Sequence, residues 1–176
     1  MLKTKQPNNS LNCLKTKQKY NMKKVLLIAL LPVLMLGCVK SASTGTCTNA
    51  TPASEEAQII AFCNTNGIVY QKDSSGIYYQ IIDPGTAPAP NQNSTISVTY
   101  VAKYLDGTIL DQTTTPIVSP LSSLIEGWRI GIPLIAKGGH LKMVVPSSLC
   151  YGCAGIPGSI PGNAILYFDI TLVDVQ

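Results

Sequence analysis

The chain is poor in histidine and in charged side chains, the commonest general acids and bases. Its 176 residues hold a single His, His140, a single Trp, two Phe, and only 12% charged residues. There is no G-x-S-x-G, no H-E-x-x-H and no G-x-x-x-x-G-K-[ST], so the machinery of serine hydrolysis, zinc proteolysis and nucleotide binding is missing. His140 stands in a Gly-Gly-His turn with no nucleophile motif beside it, which is the setting of a surface residue. No hydrophobic run reaches the roughly 20 residues that a membrane-spanning helix needs. The longest, Val25 to Leu36, has 12.

That run has a context. Met22-Lys23-Lys24 precedes it as a positive segment and Gly37-Cys38 follows it, the layout of an export signal. A small residue followed by Cys after such a run resembles the lipobox of bacterial lipoproteins, in which the Cys is acylated and becomes the new N-terminus. Met35 stands where Leu is usual. A plain cleaved signal peptide and an uncleaved anchor are the alternatives. Residues 1–37 are therefore expected to be leader, with Met22 a candidate start, and Cys38 the lipidation site. The net charge of +4 belongs to this leader: seven of the thirteen basic residues precede the run and all nine acidic ones follow it. From Cys38 onward six basic groups face nine acidic ones, a net −3, which removes the case for nucleic acid as a partner.

Of the six cysteines, Cys13 lies in the leader and Cys38 would carry lipid, leaving Cys47, Cys63, Cys150 and Cys153. An even set suits an oxidising compartment, and four cysteines allow three pairings. The local pairings, Cys47 with Cys63 and Cys150 with Cys153, are the expected ones. Cys150-Tyr151-Gly152-Cys153 is also a C-x-x-C, open to thiol redox chemistry or half a zinc site. It sits among Gly152, Gly155 and Pro157 in a loop, not at the start of a helix. No metal and no cofactor is expected.

Val39 to Thr51 is rich in Ser, Thr, Ala and Gly, the composition of a tether, so residues 38–51 are read as lipidated Cys and linker. Thr51-Pro52-Ala53-Ser54-Glu55-Glu56 then carries a capping hydroxyl, a Pro and acids in the order that starts a helix, and Gly67 stands where it would end. Residues 52–75 are expected to form this short helix and a strand, Ile68 to Gln71. Beyond it the period changes to two. Gly76 to Ile82, Ser94 to Leu105, Thr108 to Asp111, Gly139 to Val145 and Ala164 to Val175 read as strands, with a turn at Asp106-Gly107. One short helix is expected from Gly127 to Ile132, ended by Pro133. Hairpin-linked strands with one helix predict an α+β domain built on an antiparallel sheet.

Five blocks then follow in order: Asp106-Gly107-Thr108-Ile109-Leu110-Asp111, Ile125-Glu126-Gly127-Trp128, Lys137-Gly138-Gly139, Pro146 to Gly152, and Ile160-Pro161-Gly162-Asn163-Ala164-Ile165-Leu166-Tyr167-Phe168. As D-G-x-x-x-D, I-x-G-W, K-G-G, P-x-x-L-x-Y-G and I-P-x-N-A-x-L-x-F, this series resembles the FKBP-type peptidyl-prolyl isomerases over about residues 76–176. The resemblance implies a curved antiparallel β-sheet wrapped around one short α-helix, with the N-terminal helix added to it. It implies isomerisation of X-Pro bonds without covalent chemistry, with proline-containing polypeptides as clients.

Carried over residue by residue, Trp128 is the floor of a pocket. Tyr100, Leu110, Ile117, Leu124, Ile125, Ile160 and Phe168 are its walls, and Asp111 and Tyr151 the polar groups at its rim. Tyr100, Asp111, Trp128, Tyr151 and Phe168 are the expected catalytic set. For each apolar member taken alone, ordinary core packing would explain it. Trp128 is different, because a buried indole N–H wants a partner. Leu110 and Ile117 stand where the family commonly has phenylalanine, and the loop from Pro116 to Leu124 is shorter. These departures keep open a second possibility, a binding module that holds proline segments without turning them over. With the leader, the expectation is a monomeric lipoprotein on the periplasmic side of a bacterial membrane, the outer membrane first.

Overall fold

Thr51 starts the first helix as its residue type dictates. Its Oγ1 accepts from the Ser54 N–H at 3.3 Å, Pro52 occupies the first helical position where no N–H is needed, and α1 runs Pro52–Thr65. Gly67, with φ +64°, takes the left-handed turn that leads the chain away. Glu55, Ile59 and Cys63, spaced by four, make one buried stripe along α1. These positions come from a computed structural model that describes residues 46–176. The expected leader, Cys38 and the first part of the tether lie outside the described residues.

Six antiparallel strands follow: β1 (Gln71–Lys72), β2 (Tyr78–Asp83), β3 (Thr95–Tyr104), β4 (Ile109–Pro120), β5 (His140–Val145) and β6 (Leu166–Val175). They form one sheet in the order β1-β2-β5-β6-β3-β4, with β5 and β6 at the centre and β1 and β4 at the edges. Alternation assigns the two faces. Ile96, Val98, Ala102, Leu141, Met143, Val145, Leu166, Phe168, Ile170 and Leu172 point into the main core. Tyr78, Val144, Ile165 and Tyr167 point the other way and pack under α1 against Ile59, Cys63 and Ile68. The sheet is therefore covered on both faces, by α1 on one and by the second helix on the other.

That second helix, α2 (Glu126–Gly131), lies close against β5, and glycines stand where the two touch. A Cβ on Gly127 would come within 2.4 Å of Val145 Cγ1, and one on Gly131 within 2.6 Å of Met143 Sδ. Pro133 ends α2 as expected, and the chain continues as a 3-10 turn, Ile132–Leu134.

Several expectations are corrected. The strand expected from Ile68 to Gln71 shrinks to β1, because Ile68 and Tyr70 pack beneath α1 instead of pairing. The short strand expected over Thr108 to Asp111 extends to Pro120, although Pro116 and three threonines interrupt its alternation. The cysteines pair across the fold: Cys47 with Cys153, Cα atoms 5.6 Å apart, while Cys63 and Cys150 are free. Neither local pair forms. α1 carries Cys63 about 16 Å from the helix start, at 1.5 Å per residue, and turns it into the second core. Cys150 packs against the main core, and Gly152, with φ +59°, turns the chain so that Cys153 faces Cys47 instead. The last residues of the expected tether, from Cys47 on, are thus fastened to the domain. The C-x-x-C is not a dithiol pair, and with Cys47 and Cys153 joined the four cysteines do not form a zinc site. His140 is not a free surface residue either: it is half-buried and its Nε2 meets Asp169 Oδ1 at 2.5 Å.

Candidate active site

The inward faces of β3, β4 and β6 meet the start of α2 and the loop after β5 around a cleft of about 390 Å3. All ten residues expected in a pocket line it: Tyr100, Leu110, Asp111, Ile117, Leu124, Ile125, Trp128, Tyr151, Ile160 and Phe168. Three lining residues lie outside that set, Ala102, Ile156 and Ser159. Ala102 shares a face with Tyr100 at a spacing of two, a signal present in the sequence. Ile156 and Ser159 sit in the Gly/Pro-rich loop, where no period marks them.

The floor is aromatic. Trp128, 5% exposed, is met edge-on by Tyr100 at 5.1 Å and 81° and by Phe168 at 5.5 Å and 88° between ring centroids. Such T-shaped pairs fix ring orientation beyond what area burial gives. Ala102 pairs with Phe168 between β3 and β6, and its small side chain lines the cleft beside the Phe168 ring. The Trp128 Nε1–H is buried and has no acceptor among the described residues, contrary to the expectation for a buried indole.

The polar rim is small. The Tyr100 hydroxyl donates to Asp111 Oδ2, and Asp111 Oδ1 accepts from the Gln112 N–H at 2.8 Å, so Asp111 is held from two sides. Burial first, and then the neighbouring Asp111 carboxylate, push the Tyr100 phenol up to about 12. Tyr151 is pushed up as well, by burial first and then by Cys150 and Asp111. Both phenols therefore keep their protons through neutral pH; the single O–H of Tyr100 is given to Asp111, which leaves Tyr151 as the O–H donor facing the cleft. Burial pushes the Cys150 thiol far above its ordinary range, which leaves it without thiolate character.

Such a site can enclose a small apolar ring and offer its carbonyls a few hydrogen bonds. It contains no paired base and nucleophile.

Comparison with known proteins gives this geometry its place. Residues 87–173 match the model of the FKBP-type peptidyl-prolyl cis-trans isomerase domain. A 1.6 Å crystal structure of a peptidyl-prolyl cis-trans isomerase from Pseudomonas syringae pv. tomato superposes with a TM-score of 0.62 at 30% identity, covering 73% of this chain and 98% of that one. The chain belongs to the FKBP-type peptidyl-prolyl cis-trans isomerase family. FkpA of Escherichia coli K12 is 38% identical over 118 residues, 65% of this chain. The crystal structure of Escherichia coli FkpA gives a TM-score of 0.63 at 34% identity, covering 71% of this chain and 61% of that one. Outer membrane protein MIP of Legionella longbeachae is 35% identical over 105 residues, 58% of this chain. The chain spans 43% of the length of FkpA and 45% of that of MIP. The fold expected from the FKBP resemblance, a curved antiparallel sheet around a short helix, is the fold observed.

Proposed function

We propose that this FKBP-type domain accelerates cis–trans rotation about X-Pro bonds in exported polypeptides. The observation that supports it most is the cleft itself, a Trp floor with edge-on aromatic walls and few polar groups. Rotation about an X-Pro bond has to overcome amide resonance, a barrier of roughly 18–20 kcal/mol, and takes tens to hundreds of seconds unaided. In the twisted transition state that resonance is lost, the carbonyl oxygen carries less charge, and hydrogen bonds from water to the planar amide lose value. A dry apolar cleft therefore binds the twisted amide better than the planar one, which is catalysis by differential binding. Trp128, Phe168, Tyr100 and Ile160 hold the proline ring and exclude water. The Tyr151 hydroxyl and the Ile125 N–H orient the flanking carbonyls, and Asp111 fixes Tyr100.

The test is the cis-to-trans exchange of a prolyl tetrapeptide with and without the protein. Catalytic acceleration is the expected result. Peptide binding without acceleration would instead identify a proline-segment binding module, and Leu110 and Ile117 would be the first residues to suspect.

The place of action proposed is the periplasmic side of a bacterial membrane, with a lipid anchor at Cys38. Support comes from the leader pattern, from the Cys47–Cys153 disulfide, which suits an oxidising compartment, and from the name of the Legionella relative, an outer membrane protein. Cys38→Ser is expected to move the protein from the membrane fraction to the soluble fraction. A wild type that is itself soluble would refute the anchor.

A further inference from the structure

The loop between β5 and β6 supplies Tyr151, Ile156, Ser159 and Ile160 to the cleft, and its neck is narrow. At the neck the Asn163 N–H donates to the Gly152 carbonyl at 2.8 Å, and a Cβ on Gly162 would fall 2.1 Å from the Cys153 carbonyl oxygen. Across this neck runs the segment that precedes α1. Asn49 Oδ1 accepts from the Cys153 N–H at 2.8 Å on one side, and the Ala50 N–H donates to Asn163 Oδ1 at 3.1 Å on the other. Asn49 occupies the very space that a side chain on Gly152 would need: a Cβ there would be 2.6 Å from its Oδ1.

The same segment is pinned at both of its ends. Cys47 is bonded to Cys153. Glu55, 5% exposed, accepts from the Ser147 N–H at 2.8 Å and from the Ser147 hydroxyl at 2.5 Å. Ser147 in turn accepts through its carbonyl from the N–H groups of Cys150 at 3.0 Å and Gly152 at 2.8 Å, the residues that flank Tyr151. At the end of β3, the Tyr104 hydroxyl donates to the Ser159 carbonyl at 2.9 Å.

We propose that residues 47–55 form a strap stitched across the neck of this loop, and that Asn49 is a positioning residue that holds Tyr151 and Ile160 in place for the prolyl substrate. The proposal rests on the isomerase function set out above. Asn49 touches no substrate. Its side chain holds the Cys153 side of the neck while the N–H of the next residue, Ala50, holds the Asn163 side, so that the Tyr151 hydroxyl and the Ile160 side chain keep a fixed separation across the cleft. A pocket that works by differential binding needs this, because a small misplacement of a wall weakens the twisted amide more than the planar one.

The test compares Asn49→Ala with Asn49→Asp, which keeps an acceptor oxygen for the Cys153 N–H. Two quantities are read: kcat/KM on a prolyl tetrapeptide, and amide hydrogen exchange at Cys153 and Asn163. Asn49→Ala is expected to lower kcat/KM about fivefold, the factor one hydrogen bond carries, and to speed exchange at the neck. Asn49→Asp is expected to restore both most of the way. In a Tyr151→Phe background the alanine change is expected to cost clearly less, because the group it positions is gone. Equal losses in both backgrounds, or faster exchange with unchanged kcat/KM, would overturn the positioning role. If the unaltered protein does not isomerise the peptide at all, the isomerase function fails and exchange alone judges the strap: faster exchange in Asn49→Ala keeps it, unchanged exchange removes it.

Discussion

Trp128→Leu is expected to lower kcat/KM on a prolyl tetrapeptide by more than about tenfold, a loss of at least about 1.4 kcal/mol of transition-state stabilisation. The indole is the one surface in the cleft met edge-on by two other rings. Leucine keeps apolar character but gives up both ring contacts, and the space it leaves beneath the proline ring admits the water that the twisted amide has to avoid. Leucine is the useful replacement because truncating a buried Trp to Ala costs about 3–5 kcal/mol of stability and would confuse a lost fold with a lost function. Far-UV circular dichroism separates the two, since the chain's only tryptophan is removed. A folded Trp128→Leu protein with an unchanged rate would show that the floor plays no part.

Gly127→Ala is expected to destabilise the domain by about 1–3 kcal/mol, against the usual direction for this substitution in a helix. Alanine is better than glycine by about 1 kcal/mol in a free helix. Here the added methyl would stand 2.4 Å from Val145 Cγ1, a stiff and fully buried side chain, and 3.3 Å from the Leu149 carbonyl oxygen. Something has to shift, and the part free to move is α2 with Trp128 and the preceding Ile125. Activity should therefore fall together with stability. Val145→Ala removes the obstructing methyls, so the double variant should lose less than the two single losses combined. Urea denaturation of the four proteins in that cycle measures the coupling. Additive losses would mean that the glycine is not required by close approach.

Much of the domain was legible because the pocket residues fall at chain positions set by backbone needs. The block ending in Trp128 requires Gly127 to let α2 approach β5, and Asp106-Gly107 is a turn with Gly107 at φ +89°. Strands β3 and β6 lie inside the sheet, paired on both sides, and their alternation is regular enough to read within a residue or two.

Edge strand β4 was harder. It pairs on one side only, its register shifts opposite β3 between Val98 and Tyr100 and between Ala102 and Lys103, and Pro116 and Pro120 are tolerated there because an edge does not need every N–H. The disulfide was not legible at all. Separation along the chain says nothing about which cysteine faces which once a helix has carried one of them inward, and the strap that brings Cys47 to Cys153 has no periodic signal. Ile156 and Ser159 were hidden for the same reason, since a loop places its side chains by its own hydrogen bonds and not by a repeat.

The Cys47–Cys153 bond spans 106 residues of sequence. During synthesis Cys63 follows Cys47 by sixteen positions, and Cys150 arrives before Cys153, so wrong partners are near at hand before the right one exists. Folding removes them from competition. Cys63 becomes fully buried with its thiol pushed up to about 11, and Cys150 is turned toward the main core with its thiol pushed higher still. Exchange needs a thiolate, so neither can readily attack the finished bond. In the folded domain the packing thus guards the pair: Cys63 and Cys150 are turned inward, and Cys47 and Cys153 are left facing one another.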